Sequence, residues 1–410
     1  MEATGLIVEY NPFHNGHLYH LREAAKFRPD SFLLCVMSGN WVQRGEPAIF
    51  NKWARAEMAL RSGADLVIEL PTIFATQSAA YFARGAIKTL DATGTVSRVC
   101  FGSEAGDIDS LEQIARLMHD ESPLFKAYLK NYLRLGHSYS AALSRTVAAI
   151  TGNSDVGSII KGPNDILGVE YLRNLLAVGS TIEAFTIARK GAGYHSLELA
   201  VNIASATAIR KGIREGKAAS TYQAVPPPSL KIIRRETRQK RGPVFWDRLD
   251  TPLMTLLRRS SLQYLESLPG METGLAARFA RAAVSAGSLA EFLEAVKTRR
   301  YTTPRLKRIL IYLLLGITAE TLEAFNAAGP RYLRVLGFTR RGRLLLRELK
   351  QNSSLPLIIK PSVYLQKSED SLGKEMLKLD IRAQDLYNLL YADPAARKGG
   401  QDFLMSPLRI

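Results

Sequence analysis

The chain has 410 residues, of which 46% are hydrophobic and 23% are charged, a composition that is typical of a folded globular protein and excludes a disordered one. The densest apolar stretch, residues 309–317, is too short to cross a bilayer, and no basic segment followed by an apolar one marks a secretory signal. We therefore expect a cytoplasmic protein that binds no membrane, with Cys35 and Cys100 as buried thiols rather than a disulfide or metal ligands.

The net charge of +17 is concentrated in one part of the chain. Residues 221–350 hold 24 lysines and arginines against 10 aspartates and glutamates, an excess of 14 positive charges. A basic excess in one segment is typical of a protein that binds a polyanion. A solvated basic face without a function is the alternative, and a membrane surface is less expected because the arginines are spread over several predicted helices.

The N-terminal half alternates predicted strands and helices. The strands are 4–8, 31–37, 64–70, 98–102 and 181–188, and the helices are 17–27, 51–61, 77–90, 111–118, 124–135, 140–151, 163–177 and 205–214. Such alternation implies right-handed crossovers and a parallel sheet with helices on both faces, where ligands bind outside the carboxyl ends of the strands. We predict an α/β fold with a Rossmann-like parallel sheet.

A domain boundary is predicted at the proline-rich stretch of residues 224–228, which breaks regular structure. We expect a ligand-binding α/β domain over residues 1–222 and a basic, mostly helical region over residues 223–410. The predicted helices of this second region are 252–268, 275–286, 289–297, 304–315, 319–327 and 340–349. The last part of the chain mixes a short apolar run, 357–359, with a helix from Ser371 and the segment 380–391.

The strongest motif follows the first predicted strand and contains His14 and His17 on either side of Asn15-Gly16. At a helix N-terminus, both rings lie beside free N–H groups and the positive end of the helix dipole, which attract anions. Cationic or N–H donors aimed at phosphate oxygens stabilise the charge that builds up when the α-phosphate of ATP is attacked. Surface histidines are the alternative, but this setting favours a nucleotide site in which His14 and His17 are catalytic.

A second motif opens the helix that follows the fifth predicted strand. Ser205 is a plausible N-cap, and its hydroxyl, Thr207 and Arg210 are positioned to hold the β- and γ-phosphates from the opposite side. A simple helix cap with an outward arginine is the alternative, and pairing with the His14 motif favours the phosphate interpretation. The role of Gln43-Arg44-Gly45-Glu46, in a loop after the second strand, stays open between phosphate contact, RNA contact and a structural tie.

These motifs together resemble a known family. The first half is similar to the nucleotidylyltransferase superfamily with the HxGH signature. Four further motifs narrow the match, namely residues 162–172, 189–195, 332–338 and 380–383. Over essentially the whole chain, the sequence resembles the tRNA(Met) cytidine acetate ligase family.

The resemblance implies an enzyme that makes acetyl-adenylate from acetate and ATP, then acetylates N4 of the wobble cytidine of elongator tRNA(Met). It implies that ATP is bound by Ile7, Val8, Glu9, Tyr10, Asn11, Pro12, Phe13, His14, Asn15, Gly16, His17, Leu18, Tyr19 and His20, with Gly102, Asn164 and Arg189 completing the site. Mg²⁺ is expected with ATP, although no carboxylate pair stands out as its ligand and no protein metal site is predicted. The family pattern leads us to expect an acidic residue after His195, where this chain has Ser196.

Alternatives remain for single residues and for the function. Asn164 follows Pro163 and is a candidate helix cap, whereas Arg189 at a strand end suits a phosphate or ribose better than a salt bridge. The main functional alternative is a small-molecule adenylyltransferase that uses the same histidines, although it leaves the basic segment without a function. A tRNA-binding protein that has lost catalysis is a further alternative, which the intact histidine pair disfavours.

The basic segment has three concentrations of charge. They are residues 231–241, followed by Phe245-Trp246, residues 299–308, which surround Tyr301, and residues 340–347. Arginine neutralises RNA phosphates and stacks on unpaired bases. We assign tRNA binding to Arg234, Arg235, Arg238, Lys240, Arg241, Arg300 and Arg308, and expect Trp246 and Tyr301 to belong to the core.

Overall fold

The computed structural model describes residues 1–160, 162–189 and 204–410. Its strands are β1 (Ala3–Val8), β2 (Phe32–Ser38), β3 (Trp41–Val42), β4 (Glu46–Pro47), β5 (Leu66–Leu70), β6 (Val96–Ser103), β7 (Glu183–Ala188), β8 (Leu333–Phe338), β9 (Leu357–Ile358) and β10 (Leu408–Arg409). The helices up to β7 are α1 (Asn15–Phe27), α2 (Lys52–Arg61), α3 (Thr72–Ala75), α4 (Ala79–Asp91), α5 (Ile108–Asp120), α6 (Pro123–Arg134), α7 (Tyr139–Thr151), α8 (Ser154–Ile159) and α9 (Pro163–Val178).

The helices after β7 include the basic segment. They are α10 (Ala206–Arg214), α11 (Ala218–Gln223), α12 (Pro227–Arg238), α13 (Asp250–Arg259), α14 (Leu262–Glu266), α15 (Leu275–Ser285), α16 (Leu289–Val296), α17 (Thr303–Leu315), α18 (Ala319–Ala328), α19 (Gly342–Asn352), α20 (Pro361–Lys367), α21 (Ser371–Asn388) and α22 (Gln401–Leu404). The helix predicted over 252–268 is divided into α13 and α14, because Ser260 is extended and Ser261 caps a new helix by accepting from the Tyr264 N–H.

The main sheet has the strand order β10-β8-β5-β2-β1-β6-β7, with β9 beside β8. Strand β1 pairs in parallel with both β2 and β6, and β2–β5 and β6–β7 are also parallel. The predicted parallel α/β sheet is therefore confirmed. The chain builds outward from β1 to β2 and β5, then returns to β6 on the other side. This creates a crevice at the carboxyl ends of β1 and β6, where such sheets bind ligands.

The sheet extends beyond the first 222 residues. Strand β8, from the basic region, pairs antiparallel with β5 and covers what would otherwise be an exposed edge, while β9 and β10 both pair with β8. The helices α12 to α18 form an excursion between α11 and β8. The boundary predicted at residue 222 therefore does not coincide with the end of the sheet. No strand is predicted from the sequence over residues 333–338, which belong to the family motif 332–338.

A buried ion cluster joins β8 to the carboxyl end of β5. The Lys52 ammonium lies 2.9 Å from Glu69 and 3.0 Å from Asp402, and the Arg334 guanidinium lies 3.3 Å and 2.9 Å from the same two carboxylates. None of the four side chains is more than 2% exposed. The two cations lower the pKa of Asp402 against the effect of burial. Two cations and two anions balance one another, which is the condition for keeping charges in a protein interior.

Apolar side chains fill both faces of the sheet. One buried cluster includes Ile68, Phe74 and Val99, and the other includes Leu6 and Phe50. Cys35 and Cys100 are free and buried within the core, as predicted. In the described parts of the chain, no single helix has both the length and the apolarity to span a membrane. Helices α17 and α18 reach that length and apolarity only when taken together, and they meet at a 97° bend.

Candidate functional site

The loop after β1 brings His14 and His17 together at the start of α1. His14 is the N-cap, and its Nδ1 accepts from the Gly16 N–H at 3.1 Å. His17 reaches back, and its Nδ1 accepts from the His14 backbone N–H at 3.3 Å. The two rings stack with their centroids 3.7 Å apart. Because its Nδ1 is an acceptor, the neutral His14 ring carries its proton on Nε2, which has no partner among the described residues.

The histidines of this loop are held neutral. Burial and the nearby charges of Arg189 and Arg210 lower the pKa of His14 to about 3. Burial and the neighbouring His14 ring lower the pKa of His17, and burial together with Arg189 lowers the pKa of His20 to about 4. Of the two kinds of donor that the sequence left open, cationic or neutral, the structure selects neutral imidazoles beside separate arginine charges.

A corner at the ends of β6 and β7 unites the other predicted nucleotide residues. The Arg189 N–H donates to the Ser103 carbonyl at 2.9 Å, which brings the Arg189 side chain over Gly102. A Cβ added to Gly102 would lie only 3.3 Å from Arg189 Cγ, so the glycine leaves room there. Asn164 Oδ1 lies 3.5 Å from an Arg189 guanidinium nitrogen. The prediction that Gly102, Asn164 and Arg189 share one site therefore agrees with their positions.

Asn164 is not the N-cap of α9, a position that Gly162 takes. Its amide donates to Glu104, which also accepts from the Asp165 N–H at 2.9 Å. Asp165 in turn accepts from the Glu104 N–H at 2.8 Å. These reciprocal bonds fix the β6–α5 loop against α9 and hold Asn164 toward Arg189.

Helix α10 contacts the loop that holds His14. The Ser205 hydroxyl accepts from the Ala208 N–H at 3.2 Å, as expected for an N-cap. Arg210 donates to the Asn11 carbonyl at 2.9 Å and to the Thr207 hydroxyl at 3.2 Å. The guanidinium of Arg210 therefore ties α10 to the loop after β1. Residues 190–195 of the family motif, and Ser196 directly after them, lie outside the described residues.

The hairpin of β3 and β4 covers the residue that follows β1. The Gln43 N–H donates to Glu9 Oε1 at 2.8 Å, and the side-chain nitrogen of Gln43 is buried without a partner among the described residues. Glu46 forms an ion pair with Lys307 of α17. Of the roles left open for residues 43–46, the structural tie is therefore present, while the charge of Arg44 faces Glu9 and Arg210.

Sequence reasoning missed Arg55, which supports the loop from beneath. The side chain is fully buried and donates to the carbonyls of Glu9, Ser38, Gly39 and Phe50. Burial lowers its pKa to about 10, so it stays charged at neutral pH. An arginine inside a predicted amphipathic helix normally faces solvent, and nothing in the local sequence indicated otherwise.

The basic concentrations divide into exposed and internally paired side chains. Arg235 lies 2.8 Å from Glu57, and both Arg235 and Arg241 bind the buried carboxylate of Glu236 at 2.9 Å. A buried carboxylate needs such partners, so these two arginines have a structural role, and their predicted contact with tRNA stays a prediction.

The other predicted contacts differ in exposure. Arg234, Arg238, Lys240 and Arg300 are exposed, and Arg308 is partly buried. Arg300 forms an ion pair with Glu272, so part of its charge is balanced within the chain.

The aromatic residues beside the basic concentrations are partly buried and pack against the core. Trp246 carries the Lys307 ammonium 4.5 Å from its ring centroid. Tyr301 lies between Arg300 and Arg305, and its hydroxyl donates to Glu272 at 3.2 Å. Trp246 and Tyr301 were both expected in the core. Both pack against it, and each ring also has at least one cation over it.

Comparison with known proteins agrees with this geometry. Residues 1–402 match the family described as HIGH Nucleotidyl Transferase. The tRNA(Met) cytidine acetate ligase of Halothermothrix orenii is 41% identical over 100% of both chains, and that of Acetivibrio thermocellus is 43% identical over 98% of both. The crystal structure of Thermotoga maritima TmcAL bound with alpha-thio ATP superposes with a TM-score of 0.94 at 38% identity, covering 100% of this chain and 99% of the other.

The chain therefore belongs to the HIGH nucleotidyl transferase family. Within that family it belongs with the tRNA(Met) cytidine acetate ligases, which it matches over its full length. The family resemblance drawn from the sequence motifs is thus confirmed.

Proposed function

We propose that this protein forms acetyl-adenylate from acetate and ATP and transfers the acetyl group to N4 of the wobble cytidine of elongator tRNA(Met). The observation that carries the proposal is the neutral His14–His17 pair at the N-terminus of α1, in the crevice between β1 and β6. The full-length likeness to ligases of that name supports the choice of substrates. Because tRNA is the proposed acceptor, we expect the enzyme in the cytoplasm.

In the first step, residues 7–20 enclose ATP with its phosphates at the start of α1. An acetate oxygen attacks the α-phosphorus, the bond to the bridging oxygen breaks, and pyrophosphate leaves with the electron pair. The free Nε2–H of His14 donates to an oxygen of the α-phosphate, where negative charge develops. Arg189 and Arg210, whose charges both act on His14, stabilise the phosphates, together with Ser205 and Thr207 at the start of α10. Gly102 leaves room for the Arg189 side chain, and Asn164 contacts the Arg189 guanidinium.

In the second step, N4 of the cytidine attacks the acetyl carbonyl carbon and AMP departs. The exposed cations Arg234, Arg238, Lys240 and Arg300 bind the tRNA backbone, and Arg308 contributes from its partly buried position. Arg235 and Arg241 act indirectly, because they fix the end of α12 through Glu236. We therefore narrow the predicted tRNA contacts to the side chains that are not bound to buried carboxylates.

Mg²⁺ is expected to accompany ATP. In the described residues no three His, Cys, Asp or Glu side chains converge as metal ligands. Mg²⁺ usually keeps several waters and takes most of its other ligands from substrate phosphates. The described residues therefore fit a Mg²⁺ ion that is carried by the nucleotide rather than one held by several protein ligands.

The test is transfer of labelled acetate to tRNA by the purified protein with ATP. We expect label in elongator tRNA(Met), located at the wobble cytidine by nuclease digestion, and none in the same tRNA with uridine at that position. Adenylation of a phosphorylated metabolite without any label in tRNA would instead identify a small-molecule adenylyltransferase. Binding of tRNA without either reaction would identify a protein that has lost catalysis.

A further inference from the structure

The loop that binds ATP also carries a carboxylate, whose charge has the wrong sign for a phosphate contact. Glu9 is the first residue after β1, and its Oε1 accepts from the Gln43 N–H at 2.8 Å. Its other oxygen, Oε2, makes no hydrogen bond or ion pair with any described residue. One oxygen thus fixes the side chain, and the second remains available as an acceptor.

The surroundings of Glu9 hold it near the reacting groups. The charges of Arg55 on α2, Arg210 on α10 and Arg44 on the hairpin all act on it. Glu9 and His14 belong to the same short loop between β1 and α1, and Arg210 donates to the Asn11 carbonyl of that loop at 2.9 Å. Burial raises the pKa of Glu9, and the three arginines and the Gln43 N–H oppose that rise. The result is a carboxylate that is more basic than one in water.

Other candidate bases near the site are already engaged or too weak. Glu46 is paired with Lys307, and Glu104 accepts from Asn164 and from the Asp165 N–H. His14, with its pKa lowered to about 3, is a weak base. Among the described residues, Glu9 is therefore the carboxylate of the loop between β1 and α1, and one of its oxygens is still free.

We propose that Glu9 accepts the proton that cytidine N4 loses during acetyl transfer. This inference rests on the proposed function. The N4 lone pair forms the bond to the acetyl carbon, the bond from that carbon to the AMP phosphate oxygen breaks, and AMP takes its electron pair. The N4 proton passes to Glu9 Oε2 and later to solvent.

The neighbouring side chains suit this base. The buried side-chain nitrogen of Gln43 lacks a partner, and cytosine presents the acceptors N3 and O2 beside its N4 amine. Gln43 and the exposed Arg44 therefore offer donors on the side where Glu9 offers an acceptor. The hairpin of β3 and β4 receives the cytosine edge, while α1 receives the phosphates.

The experiment separates the two half-reactions in a rapid-quench assay. Enzyme with acetate and ATP forms the adenylate first, tRNA is then added, and single-turnover transfer is followed from pH 4.5 to 8.5. Acetate-dependent ATP–pyrophosphate exchange measures the first step alone. Glu9→Gln retains an acceptor for the Gln43 N–H but removes the base, Glu9→Asp retains a base, and Glu46→Gln is a matched control in the β3–β4 hairpin that covers Glu9.

We expect Glu9→Gln to slow transfer by about 10²–10⁴-fold and to remove the acid limb of its pH profile, the usual size of a general-base effect. Because Glu9 also belongs to the loop that encloses ATP, exchange should fall as well, but by a smaller factor than transfer, and Glu9→Asp and Glu46→Gln should keep the acid limb of the transfer profile. Equal losses in exchange and transfer, or an acid limb that survives in Glu9→Gln, would overturn the inference. If the wild-type protein transfers no acetate to tRNA, the proposed function itself fails, and the two failures are distinguishable.

Discussion

Two groups of charged side chains lie at the same edge of the sheet and are built on opposite principles. At the ends of β5 and β8, Lys52, Arg334, Glu69 and Asp402 form a closed cluster in which every charge has a partner and water is excluded. At the ends of β1 and β6, the arrangement is different. There Arg189 and Arg210 approach neutral histidines without any carboxylate at ion-pair distance among the described residues.

The difference separates structure from function. Balanced buried charges hold the C-terminal strands against the sheet, and removing one leaves an uncompensated charge in the interior. Cations that have no carboxylate partner among the described residues, beside a helix N-terminus, are instead complementary to an anion that arrives from solution. The first cluster should therefore govern stability and the second should govern catalysis, and each change below tests that division.

The largest effect is expected from Arg334→Met, which leaves Glu69 and Asp402 with one cation between them. Breaking a buried ion cluster in this way costs about 3–5 kcal/mol of the free energy of unfolding. Urea denaturation measures it, and Arg116→Met, which removes an exposed partner of Glu112, should stay within about 0.5 kcal/mol of wild type. An Arg334→Met protein as stable as wild type would show that the closed cluster does not hold the strands.

Changing His14 should affect catalysis far more than stability. His14→Asn keeps an N-cap acceptor but removes the Nε2 donor, whereas His14→Ala removes both. Both variants should lose about 10²–10³-fold in acetate-dependent exchange, the typical effect of deleting one transition-state donor. Only His14→Ala should also lose about 1 kcal/mol of the free energy of unfolding. Wild-type exchange in His14→Asn would remove His14 from the catalytic groups.

Arg189→Met should weaken ATP binding while the fold is retained. A charge-assisted hydrogen bond contributes about 1.5–3 kcal/mol, which corresponds to roughly 10- to 150-fold in the Kd for ATP. Asn164→Ala acts only through Arg189 and should have a smaller effect, a few-fold at most. Titration with a fluorescent ATP analogue measures the Kd of both variants. A larger effect of Asn164→Ala than of Arg189→Met would contradict a direct contact of Arg189 with ATP.

The neutral histidines predict the sign of a pH effect on stability. The pKa of His20 is about 4 in the folded chain, below its ordinary value, so between pH 6.5 and 4 the unfolded chain binds a proton that the folded chain does not. Folding stability should therefore fall as the pH falls through this range. His20→Asn should lose less stability than wild type between pH 7 and pH 5 in urea titrations. A loss in the variant as steep as that of wild type would contradict the burial of a neutral ring.

The smallest effect concerns the salt dependence of tRNA binding. Arg238→Ala combined with Lys240→Ala removes two exposed cations and should reduce the slope of log K against log salt by about 1–2. Arg235→Ala breaks an internal ion pair and should lower stability more than it lowers this slope. A filter-binding series from low to high salt compares them, and an unchanged slope in the double variant would place the tRNA on another surface.

The two groups of charged side chains also show which features could be predicted from the sequence. The parallel sheet, the His14–His17 loop and the meeting of Gly102 with Arg189 were predictable, because each follows from a local pattern at the end of a strand. The closed cluster was not, because Lys52 and Asp402 lie 350 residues apart and each appears in the sequence as an ordinary surface charge. Arg55 and Arg235 escaped for the same reason, since an arginine's buried partners are not visible in its own neighbourhood.

The most direct test of the account is ATP–pyrophosphate exchange by the wild-type protein without tRNA. If the neutral histidines and the arginines at the start of α1 promote attack of a carboxylate on the α-phosphorus, labelled pyrophosphate should enter ATP only when acetate is present. Exchange at the same rate without acetate, or exchange supported only by a phosphorylated metabolite, would contradict it.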